Sequence, residues 1–114
     1  MRRDDILLLD MLLASREAAH FAHGLTFETF SRDRKSQLAI LKAVETIGEA
    51  ASRVSTDTRN AHPEIPWAEI VGMRHRLVHE YFNVNLARVW ETAERDVPSL
   101  IPLLERLVPP ETGE

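Results

Sequence analysis

The segment WAEIVGMRHRLVHEY, Trp67–Tyr81, reads as a helix that places a charge where carbon is expected. At roughly 100° per residue, Ile70, Leu77 and Tyr81 fall on one stripe, and Arg74 lies in the middle of it. Pro66 suits the first turn of such a helix, so the spacing predicts a helix from Pro66 or Trp67 to about Tyr81. A permanently charged guanidinium among apolar neighbours is costly unless it is paired or lines a cleft. Arg74 is therefore either tied to a carboxylate from another helix, Glu45 or Glu49, or left open to bind an anion.

Three further stretches have helical periodicity. The first runs from about Asp4 to His23 and stops at Gly24, with a possible extra turn over Thr26–Phe30. The second, about Arg34 to Val54, carries Ile40, Val44, Ile47, Ala51 and Val54 on one continuous face. Gly48 beside that face would let a neighbouring helix come close. Ser55–Pro66, rich in Ser, Thr, Asn and Pro, reads as a linker. The last helix, capped by Asn83 or Asn85, carries Leu86, Val89, Trp90, Ala93, Val97, Leu100, Leu104 and Leu107 as one stripe. Pro98 and Pro102 lie inside it and should bend or break it. No alternating strand pattern of useful length occurs. The expectation is an all-α protein, a four- to five-helix antiparallel up-and-down bundle. It occupies 1–108 as one domain, with 109–114 as a flexible tail.

Composition narrows the function. The 114 residues have no Cys, which excludes disulfides, a thiol nucleophile and Cys-based zinc. The apolar run Ile6–Leu9 is broken at Asp10, too short for a signal core or a membrane span; the chain reads as cytoplasmic. A net charge of −4 disfavours general nucleic-acid binding, so any RNA contact should be local.

His79 is the second chemical candidate, because imidazole titrates near neutral pH and can carry the proton when RNA is cut at its 2′-hydroxyl. Arg74 would hold the scissile phosphate. On one helix the two lie about 140° apart, so either the helix loosens near His79 or the site is reached from two sides, as between two copies of the chain, which is the favoured arrangement. His75 and His79 stand at i and i+4, a spacing two metal ligands use, but HRLVHE is not HExxH and no third ligand is near. No metal or cofactor is expected. His20, His23 and His62 have no motif around them. Trp67 and Trp90 read as core anchors, and Arg32, Arg34 and Lys35 as a solvated helix start.

Arg74-x4-His79-x-Tyr81 is an R-x4-H-x-Y signature. With it stand Glu45 and Ile47-Gly48-Glu49-Ala50, and Pro63-Glu64-Ile65-Pro66-Trp67 ahead of Ile70-x-Gly72-Met73-Arg74. On these blocks the chain resembles HepT-like toxins of the HEPN superfamily. The resemblance implies a HEPN-like helical bundle that forms a homodimer, with Arg74 and His79 of both subunits facing one cleft. It implies a metal-independent endoribonuclease, the toxin of a type II or type VII toxin–antitoxin system. It implies a minimal nucleotidyltransferase antitoxin as partner, which transfers AMP from ATP onto Tyr81. His75 stands where the family often has Asn, and is given an auxiliary role; Glu45 would orient Arg74 or His75. The alternative is a catalytically silent module that binds nucleotide or partner through the same cleft.

Overall fold

The computed structural model describes the backbone of residues 2–80 and 83–109, and the side chains of 3–73 and 85–109. Helix α1 (Arg2–Ala22) opens with Asp4 and Asp5 in its first turn, where carboxylates offset the helix dipole. It ends before Gly24, whose φ of 81° is the left-handed turn glycine tolerates best. Helix α2 (Phe27–Ser31) is a single turn closed by a capping box, Thr26 and Thr29 each receiving the other's backbone N–H.

Helix α3 (Arg34–Arg53) starts at Asp33, which accepts from the Lys35 N–H. Its end is closed from outside. Arg59 donates to the carbonyls of Ala51, Ser52 and Val54 at 3.0–3.1 Å, satisfying acceptors that a helix terminus leaves open. Arg59 belongs to α4 (Thr56–Ala61), a short helix capped by Ser55, so the stretch expected to be a plain linker is folded. The same polar residues that favour loops also cap helices.

Helix α1 packs on α3 and on the last helix, and α3 packs on α5 (Trp67–Leu77). The expected α3 face, Ile40, Val44, Ile47, Ala51 and Val54, is buried throughout. It meets Leu8, Met11, Leu12 and Ala18 of α1 in a single core that also takes Phe30, Trp67 and Trp90. Both tryptophans anchor that core as expected; Trp90 lies 5.1 Å from Phe30, ring to ring.

The last helix is continuous in path but not in geometry. Asn85 caps α6 (Leu86–Glu91) through the Arg88 N–H, five residues of π-helix follow over Thr92–Asp96, and α7 (Val97–Leu107) completes it. The Val97 N–H reaches back to the Thr92 carbonyl, five residues away. This wide turn sits immediately before Pro98, whose ring would crowd the Glu94 carbonyl in a regular helix. The expected disruption is thus a π-turn, while Pro102 is accommodated inside α7. The described residues are helical as predicted, apart from a small ribbon described below. Among the described residues no helix is long and apolar enough to cross a membrane.

Candidate functional site

Helix α5 is fixed firmly at its start. Trp67 donates its indole N–H to the His62 carbonyl at 3.0 Å, and Ile70 and Met73 are buried against the core. Arg74 and His75 follow in its last turn. The helix then stops at Leu77, four residues before the expected end at Tyr81. Strand β1 (Val78–Glu80) takes over and pairs antiparallel with β2 (Asn83–Val84), Val78 opposite Val84 and Glu80 opposite Asn83. Val78 and Val84, with two aromatics between them in sequence, suit a ribbon better than a helix.

This break changes the geometry of the signature. Arg74 and His75 ride on a helix, whereas His79 rides on a strand. The angular separation and the i, i+4 relation both assume a single helix, and position 79 lies beyond its end. The helix ends before His79, as the first of the two routes around the angular problem expects. Tyr81 lies outside the described residues. Among the described residues no group of three His, Asp or Glu side chains is placed to hold a metal.

Glu45 stands half-buried on α3, without a hydrogen bond to any described residue. Glu49 receives a bond from Arg53 at 3.2 Å. His20 and His23 are exposed, and His62 is half-buried with Nδ1 3.5 Å from Glu64. Arg32, Arg34 and Lys35 are solvated as expected, Arg32 pairing with Glu28 at 3.1 Å.

One wall of α5 faces an open cavity of about 580 Å³, closed on the other side by α6, the π-turn and α7. Ile70, Met73, Val97 and Leu100 form its apolar lining, and Glu69, Arg88, Thr92, Asp96 and Ser99 add polar groups. Arg88 differs from the paired arginines. Arg16, Arg32, Arg53 and Arg95 each bond a carboxylate at 2.9–3.2 Å. Arg88 has no ion pair among the described residues, because its nearest acid in sequence, Glu91, is engaged by Arg95. Sequence reasoning passed over Arg88. The available signal was an arginine with Thr92, not an acid, one turn further on.

The family profile described as "Ribonuclease HepT-like" matches residues 11–107. A protein of Thermococcus cleftensis named "Probable ribonuclease HepT" is 40% identical over 100 residues, covering 88% of this chain and 91% of its own. A relative from Methanocaldococcus jannaschii with a provisional RNase name is 32% identical, over 94% of this chain and 88% of its own. Another such relative, from Caldanaerobacter subterraneus, is 42% identical over 68% of this chain and 69% of its own. No solved structure matches at a significant level. The profile runs through the core helices, the interrupted α5 and the signature itself, and the chain belongs to the HepT-like ribonuclease family.

Proposed function

We propose that the protein is a metal-independent endoribonuclease acting as the toxin of a toxin–antitoxin pair, with Arg74 and His79 as its catalytic residues. The observation that carries this reading is the full R-x4-H-x-Y signature within a family match spanning residues 11–107. In the reaction, the ribose 2′-oxygen attacks the adjacent phosphorus and the bond to the 5′-oxygen breaks, leaving a 2′,3′-cyclic phosphate and a 5′-hydroxyl. His79 takes the 2′-proton or gives one to the departing oxygen. Arg74 donates to the phosphate oxygens as charge accumulates on them. His75 acts as an auxiliary donor, and Glu45, half-buried on α3, orients Arg74 or His75. A homodimer brings two such sets to one cleft.

Control resides in Tyr81. A minimal nucleotidyltransferase antitoxin would direct the tyrosyl oxygen onto the α-phosphorus of ATP, releasing pyrophosphate and leaving AMP on the ring. An anionic nucleotide beside Arg74 would then occupy the substrate's place. The test is the intact mass of the protein expressed alone and together with such a nucleotidyltransferase, with peptide mapping across 67–84. One or more AMP units on Tyr81 together with lost toxicity is the expected result. Unchanged mass with toxicity still suppressed would replace AMPylation by simple complex formation. The net charge of −4 favours a second reading, a silent nucleotide- or partner-binding module; unchanged mass with no toxicity in either state would select it.

A further inference from the structure

The cavity between α5 and the π-turn is lined by an arginine with no ion pair among the described residues, and it has the size and lining of a ligand site. Arg88 is the guanidinium on its wall that no described carboxylate neutralises. A phosphate-sized anion is the natural complement of such a group, since a guanidinium fork matches phosphate oxygens in two places. Ile70, Met73, Val97 and Leu100 would lie under an apolar, planar group, and a nucleobase is one. The carboxylates of Glu69 and Asp96 stand on opposite walls. Each offers several lone pairs, so it can accept from a base amino or imino N–H while also serving another partner. Arg88 lies on α6 and Asp96 at the far end of the π-turn; carboxylates repel phosphate, which assigns the backbone to the Arg88 end of that wall and the base to the space between Asp96 and Glu69.

We infer that this cavity is a nucleotide subsite for the RNA substrate, with Arg88 binding a phosphate next to the scissile one and Glu69 and Asp96 reading an amino-bearing base. The inference rests on the ribonuclease reading above and extends it to residues outside the signature. The π-turn has a part in it. By widening the helix at Thr92–Asp96, it sets Thr92 and Asp96 on the cavity wall together with Arg88 and Ser99.

The experiment uses the full-length chain and a single-stranded RNA pool randomised at each position, with His79→Ala as background for binding so that RNA stays intact. Arg88→Ala should weaken binding by roughly ten-fold and reduce the salt dependence by about 0.7 in log–log slope, the release expected for one phosphate contact on a single strand. Arg88→Lys should restore most of the slope. A structural role for Arg88 would leave that slope unchanged. Glu69→Gln and Asp96→Asn should alter the base preferred beside the cut, read as a change in the relative cleavage of the four bases at that position. If the parent protein cuts RNA but the slope and the base preference stay fixed in these variants, the subsite is wrong and the nuclease reading stands. If the parent neither binds nor cuts RNA, both fall together.

Discussion

Among single residues Asp4 has the clearest energetic role. It is buried, and its carboxylate accepts from the Ser55 hydroxyl at 2.6 Å, the Ser55 N–H at 3.1 Å and the Thr58 hydroxyl. The hydroxyls of Ser55 and Thr58 hold its pKa below the usual carboxylate value, against the opposing effect of burial. A depressed folded pKa means the stabilisation is fully present above the unfolded value and is lost as pH falls through the folded one. Asp4→Asn should therefore lower stability at neutral pH by about 1–3 kcal/mol and remove part of the acid sensitivity. Urea titrations from pH 7 down to pH 3 check this; a variant that tracks the parent at every pH would show that the cluster contributes nothing. Gly24 is the other position where one residue decides an outcome. No atom lies within 4 Å of a Cβ added there, so Gly24→Ala would meet only the strain of positive φ. A loss of about 1 kcal/mol is expected in the same titration.

Among the elements, α5 explains most of what the signature needs. Its start is anchored by Trp67, Ile70 and Met73, and its end gives way to a ribbon that carries His79. A short ribbon is sensitive to β-propensity, so Val78→Ala together with Val84→Ala should lower kcat several-fold. Parallel activity and melting measurements would check that, and equal activity would show that the ribbon does not hold His79 in place. The core faces of α3 and the last helix were legible in the sequence, since a helical stripe of Ile, Val and Leu can be buried in few other ways. The end of α5 was not. Residues Trp67–Tyr81 keep helical spacing to the last position, and the pairing with Asn83–Val84 that completes the strand is a contact outside the segment. Helix α4 was hidden for a related reason, as Ser55 and Thr58 suit a loop and a capped turn equally well. Arg88 was missed because an exposed arginine on a helix is ordinary until the cavity beside it is seen.

At the scale of the whole molecule, a chain with net charge −4 is proposed to act on a polyanion. Acidic residues outnumber Lys and Arg by 18 to 14, so binding should depend on a small number of local phosphate contacts. A shallow loss of affinity with salt follows, shallower than for proteins that make six or more contacts. A proposed homodimer would add the same contacts twice, and sedimentation of the purified protein should give twice the 13.0 kDa mass of the chain; a monomer that cleaves at full rate would remove the shared cleft from the mechanism. The central claim is that Arg74 and His79 cut RNA without a metal. Its most direct measurement is cleavage of RNA by purified, unmodified protein in excess chelator, compared with Arg74→Ala and His79→Ala. Cleavage that persists in chelator and falls at least 100-fold in each variant, with folding intact by circular dichroism, is the expected result. RNA left whole by the parent, or cut equally well by both variants, would contradict it.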